Sequence, residues 1–217
     1  MEINFRSLTA DEVEARVSTV SEKGLSLLLY KDARCDMRVL DETVGPACWQ
    51  REHYECKGNL FCRVGIKLPD WSEWIWKADC GAESYTEKEK GEASDSFKRA
   101  CFNWGIGREL YTAPFIWVPV QDKDGRTNFA LTQRGGKPST GDRFKVTYLG
   151  VEKGKIVGLN IENTRIKQTV YTFGKVGGFE MCAVCGKPVL PLIAQKSKEA
   201  NAGVVYCSGT CRKKAGE

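Results

Sequence analysis

Two groups of residues in this chain have the types and spacing to do chemistry, and the more compact one lies near the C-terminus. "CAVCGKP" and "YCSGTCRKK" supply Cys182-x2-Cys185 and Cys207-x3-Cys211. Each pair closes a short loop, and two such thiolate pairs suit a tetrahedral four-sulfur zinc site. The second spacing is one residue longer than the commonest ribbon pattern. Gly186 follows the second cysteine and gives the loop a residue that tolerates unusual dihedrals. Four sulfurs would fill every coordination position, so a structural role is expected rather than hydrolysis. The plainer alternative is four independent buried or free cysteines. The other six, Cys35, Cys48, Cys56, Cys62, Cys80 and Cys101, are widely scattered and read as small core hydrophobes.

The second group lies in "KGEASDSFKRACFNWGIGRELY", residues 90–111. At about 100° per residue, Ala93, Phe97, Ala100, Cys101 and Trp104 share one stripe of a helix, the face for burial. Lys98, Arg99 and Phe102 fall on the opposite side, and Gly105 and Gly107 end the helix. Two cations flanking a ring can neutralise phosphates and stack a base. An ordinary solvated face is the alternative, because Asp95 with Arg99 and Lys88 with Glu92 are possible acid–base pairs of helical spacing.

Other chemistry is thinly represented. "GGKPST" at 135–140 lacks the upstream glycine and the Ser/Thr after lysine that a phosphate loop needs, so it reads as a turn. "GIGREL" lacks the third glycine of a dinucleotide site. His53 is the only histidine, and no paired-carboxylate motif stands out. The chain is therefore not expected to be an enzyme. Its net charge of +5 permits nucleic-acid contact without demanding it, and much of the excess sits in the tail, with Arg212, Lys213 and Lys214.

The elements that must hold these residues follow from pattern. "SLTADEVEARV" carries a capping signal and predicts a short helix. "GLSLLLY" suits a buried strand. "DARCDMRVLDETVGP" predicts a helix burying Cys35, Val39, Leu40 and Val44 and ending at Gly45-Pro46. Three strands follow in "WQREHYEC", "LFCRVGIKL" and "WIWKADCG". In the middle one Cys62, Val64, Ile66 and Leu68 point one way, and Arg63 and Lys67 the other. The helix of 90–111 completes a β-β-β-α unit. "PFIWVPV" reads as an edge strand between prolines, and "DRFKVTYLGVEKGKIVGLNIEN" as a further hairpin. "TRIKQTVYTFGKVGGFE" is poorly patterned. The expected class is α+β with a small C-terminal zinc ribbon, divided as 1–165, a linker over 166–180, and 181–217. The start lacks the pattern of a signal peptide and no apolar run suits a membrane span, so a cytoplasmic location is expected.

"LLLYKDARCDMRVLDETVGPACWQ", the three-strand stretch and "KGEASDSFKRACFNWGIGRELY" together resemble the Rad-fifty-two-type single-strand annealing family, and within it the phage Sak-like recombination proteins. The likeness covers roughly residues 24–118. It implies a β-β-β-α core that assembles into rings, with single-stranded DNA in a basic groove and its bases turned outward. By the same resemblance Lys98 and Arg99 match the groove-lining basic pair, Arg38 a cation of the preceding helix, and Lys67 a lysine of an outer DNA site. Arg63 shares the cationic strand face with Lys67. Phe102 stands where eukaryotic members tend to have a further cation. The implied activity is ATP-independent annealing of complementary strands in recombination and double-strand break repair, with an exonuclease or a single-strand-binding protein as a further partner. A zinc-dependent nucleic-acid-processing enzyme and a zinc-ribbon adaptor are the alternatives.

Overall fold

The computed structural model describes residues 3–82, 88–174, 180–185, 188–189 and 191–215. The chain forms two compact units, Met1–Phe173 and Gly174–Glu217.

The first unit is mixed α+β and mostly sheet. β1 (Val13–Val20) and β2 (Gly24–Lys31) pair as an antiparallel hairpin and lead into α1 (Ala33–Val44). Asp32 caps that helix by accepting the Arg34 N–H. β3 (Trp49–Cys56), β4 (Asn59–Ile66) and β5 (Ile75–Cys80) form a three-stranded antiparallel sheet, followed by α2 (Lys88–Trp104). β6 (Ile116–Pro119) pairs with β2, and a small hairpin of β7 (Thr132–Arg134) and β8 (Lys137–Ser139) comes next. β9 (Phe144–Glu152), β10 (Lys155–Asn163) and β11 (Gln168–Gly174) complete a six-stranded sheet in the order β11-β10-β9-β1-β2-β6. Lys57 and Gly58 in the β3–β4 turn, and Lys153 and Gly154 in the β9–β10 turn, all have positive φ. Both connections are thus the tight kind whose twist matches the flanking strands.

One core joins the two sheets and both helices. Cys62, Val64, Ile66 and Leu68 are buried as the period-2 pattern requires, and Phe97, Ala100 and Cys101 of α2 pack on them. Trp104 donates its indole N–H to the Val64 carbonyl at 2.9 Å, locking the end of α2 to β4.

Sequence pattern and structure differ at three places. The helix expected after Ser7-Leu8-Thr9 is a single 3-10 turn, Ala10–Glu12, and the chain enters β1 at once. Glu12 satisfies the exposed Thr9 N–H at 3.0 Å but also pairs with Arg6, and the burial of Val13 and Ala15 follows a strand's alternation. Residues 168–174, expected within a linker, form β11; Val170, Tyr171 and Phe173 pack against the core. A run rich in β-branched and aromatic residues favours the pleated surface even without clean alternation. Of the scattered cysteines, Cys35, Cys62 and Cys101 are buried but Cys56, beside a turn, is exposed.

Lys31 at the end of β2 and Asp36 on α1 form a fully buried ion pair, and the second Asp36 oxygen has no hydrogen-bond partner. Burial raises the Asp36 carboxyl to about 6 despite the attraction of Lys31. The folded carboxyl then binds its proton more tightly than the unfolded one. The associated stability is fully present below about pH 4 and is lost as pH rises through about 6, an effect of about 2–3 kcal/mol. All six tryptophans lie in the first unit, so urea unfolding followed by their fluorescence isolates it. Stability should fall between pH 4 and pH 6.5 and Asp36→Asn should remove the slope; the same slope in the variant would assign it to other groups.

In the second unit β12 (Glu180–Met181) pairs with β13 (Pro188–Val189), followed by α3 (Pro191–Ala200) and α4 (Gly209–Lys214). Ser208 caps α4 by accepting the Cys211 N–H. Its described buried residues are few: Cys182, Val189, Ala194 and Val205.

Candidate nucleic-acid interface and metal centre

α2 rests its apolar face on β4 and β5, and this fixes where its opposite side points. That side borders a groove whose other wall comes from the end of β2 and the turn at Arg108–Thr112. The inner end of the groove is a cavity of about 230 Å³ lined by Leu29, Tyr30, Lys31, Lys98, Arg99 and Tyr111 among others. A wider, more polar run of about 570 Å³ continues past Arg16, Asp32 and Ser94, and shares Tyr30, Lys31, Asp95 and Lys98 with the inner end.

Lys98 and Arg99 both line the groove. Lys98 lies 3.9 Å from Asp95, and Arg99 reaches Asp79 on β5 at 3.3 Å. The acid–base pairing expected between Asp95 and Arg99 is thus replaced by these two. Arg99 Nε is buried without a hydrogen-bond partner, so Asp79 satisfies the guanidinium incompletely. Both charges face a concave surface with low-dielectric walls, which strengthens their attraction for an anion.

Phe102 sits with them but not as a free ring. It is half-buried, its edge meets Tyr111 at 4.9 Å, and the Lys31 ammonium lies 4.3 Å from its centroid. The helical wheel placed it outward correctly with respect to β4, but segments distant in sequence cover it.

Three other expected contacts lie elsewhere. Arg38 is well exposed on α1 and faces Glu12 at 3.6 Å. Arg63 forks onto Glu52 at 2.6 Å and lies over Trp76, on the face of the three-stranded sheet away from α2. Lys67 is half-buried just beyond β4. None of the three lines the groove.

Sequence reasoning missed the groove's tyrosines and Arg16. Tyr111 is 68% exposed, and Tyr30 is 37% exposed with the Arg16 guanidinium 5.1 Å over its ring. The alternation of β1, which turns Glu14 and Arg16 outward while burying Val13 and Ala15, was the available signal for Arg16. His53 bonds the Ala93 carbonyl at 3.1 Å, a link between β3 and α2.

In the second unit Cys182, Cys185, Cys207 and Cys211 bring their sulfurs within 4.8 Å of one another. Cys207 lies 3.5 Å from both Cys185 and Cys211. Four sulfurs about 2.3 Å from a central tetrahedral zinc would be separated by about 3.8 Å, so the cluster fits such an ion. Backbone N–H groups, that of Cys185 foremost, pull the Cys182 thiol down to about 6, as a metal-binding thiolate requires. Among the described residues these four are the one group of His, Cys, Asp and Glu arranged to hold a metal ion.

Among described helices none is long and apolar enough to cross a membrane. The family model described as Rad52/22 family double-strand break repair protein matches residues 6–129. That span holds both helices of the groove and the whole three-stranded sheet. No curated protein and no solved structure matches the chain.

Proposed function

Because the chain belongs to the Rad52/22 family of double-strand break repair proteins, we propose that it binds single-stranded DNA in the groove beside α2 and anneals complementary strands without nucleotide hydrolysis. The single observation that carries this is the placing of Lys98 and Arg99 together in a concave surface that also presents Tyr30 and Tyr111. Cations there neutralise phosphates, and the tyrosines offer faces on which any base can stack.

Annealing asks for little else. Duplex stacking is worth about 1.4 kcal/mol per step, so the reaction runs downhill once its obstacles are lowered. Those obstacles are repulsion between two polyanions and the self-folding of each strand. A groove that neutralises one backbone lessens the first, and holding the strand extended removes the second.

In this reading the protein binds and anneals rather than cleaves. Residues 1–165, with β11, form the annealing domain, and 181–217 form a zinc ribbon in which Cys182, Cys185, Cys207 and Cys211 hold a structural zinc ion. Several copies close into a ring, which supplies a continuous groove. Arg38, Arg63 and Lys67 lie off the groove of one subunit and enter as the path of a second strand around the ring. The likeness of the helix motifs to Sak-like proteins supports a phage type of recombination protein. Such a protein works in the host cytoplasm beside an exonuclease or a single-strand-binding protein.

Incubating labelled complementary oligonucleotides with the full-length protein, without nucleotide and with or without magnesium, tests the activity. Duplex forming faster than in buffer, from strands of unchanged length, is the expected result. No acceleration would refute annealing, and shortened strands would identify a nuclease.

A further inference from the structure

We infer that the inner end of the groove is a pocket for a single nucleobase, turned inward from a strand whose backbone lies on Lys98 and Arg99. This rests on the single-strand-binding reading above and goes beyond it, because a phosphate groove alone needs no cavity.

The two halves of the groove differ in chemistry. The open run is lined by Glu14, Arg16, Asp32, Ser94, Asp95 and Lys98, polar groups suited to a hydrated backbone. The inner cavity adds Leu29, Leu110, Phe102 and Tyr111, so its walls are apolar and aromatic while its cations stand beside them. Its volume of about 230 Å³ is below the range usual for drug-sized ligands and suits one planar ring system.

The aromatic groups are arranged for this occupant. Phe102 is fixed from behind by the Lys31 ammonium and supports Tyr111 edge-on. Tyr111 is therefore braced on one side while 68% of its surface remains open, the condition for a stacking platform. Phe102, the ring singled out by its position on the helix, acts as the brace.

Polar groups fit the same occupant. Lys31 lines the cavity with its side chain buried, and its one hydrogen-bond partner among the described residues is Asp36. An ammonium carries three donors, so it can accept further partners. Arg99 likewise has a buried Nε without a partner. Donors without acceptors at the back of an aromatic cavity complement the carbonyl edge of a base such as thymine.

The test compares an oligo(dT) with a deoxyribose-phosphate oligomer of equal length that lacks bases, each bound to the full-length protein. The wild type is expected to prefer oligo(dT) by about tenfold or more, the usual scale of a base stacked on an aromatic ring. Tyr111→Ala should abolish most of that preference and Tyr111→Phe should keep it, while Lys98→Glu with Arg99→Glu weakens both polymers. Equal binding of the two polymers by the wild type would overturn the pocket and leave the groove standing. A preference unchanged in Tyr111→Ala would overturn it too. If that variant alters particle mass with its preference intact, the cavity holds a side chain from a second copy and the inference is wrong. Should the double charge reversal leave both polymers unaffected, the groove assignment itself fails, whatever the base comparison shows.

Discussion

Lys98→Glu combined with Arg99→Glu will weaken single-strand binding by a hundredfold to a thousandfold at low salt. Two phosphate contacts are lost and two repulsions are added within one concave surface. For single strands the slope of log affinity against log salt changes by about 0.7 per phosphate contact, so the variant should show a slope shallower by about 1.4. Neither cation is held tightly enough at home to be indispensable to the fold: Lys98 has only a 3.9 Å partner, and Arg99 leaves Nε unsatisfied. Thermal unfolding followed by tryptophan fluorescence should therefore change little. Lys123→Glu with Arg134→Glu is the proper comparison, since it makes the same change in net charge at exposed positions outside the groove. Equal weakening by both double variants would reduce the effect to overall charge. Unchanged affinity in the first would show that its cations are ordinary surface.

The larger energetic effect belongs to the metal. Folding free energy of about 10–16 kcal/mol is associated with structural zinc in small domains. The described core of Gly174–Glu217 consists of Cys182, Val189, Ala194 and Val205, too little apolar surface to hold a unit of that size alone. Chelation, or Cys182→Ser, should unfold this unit and leave the tryptophan signal of the first unit in place. Metal analysis is expected to give one zinc per chain. Thiol titration should show four cysteines becoming reactive on chelation, while Cys35, Cys62 and Cys101 stay protected in the first unit. A tail whose cysteines are equally reactive before and after chelation would refute the zinc site.

What could be read from the sequence was whatever depends on neighbours along the chain. The period of two in Cys62, Val64 and Ile66, and the stripe of Phe97, Ala100 and Cys101, show as repeating apolar positions because each element buries one face. The cysteine pairs are local too, since a metal site made of two short loops writes its spacing into each loop. Lys98 and Arg99 emerged from the same helical wheel. The rest of the groove is written nowhere locally. Tyr30 ends a strand and Tyr111 belongs to a turn far along the chain, and only the packing of β2, α2 and that turn brings them together. Lys31 reads as a solvated strand end, yet it is buried because Asp36 waits one turn into α1 to receive it. Phe102 illustrates the same limit: a wheel reports the direction of a side chain but not what arrives later to cover it. The strand over Val13–Val20 was missed because the Thr9 and Glu12 cap signal was real but served a single turn.

The most direct measurement is a cross-linking map. A single-stranded oligonucleotide carrying photoreactive thymidines would be irradiated with the full-length protein and the labelled peptides sequenced. Cross-links concentrated in residues 29–31 and 94–111 are the predicted outcome, because those segments wall the groove. Labelling confined to the outer face of the three-stranded sheet or to residues 180–215, with the groove peptides unmodified, would contradict the account.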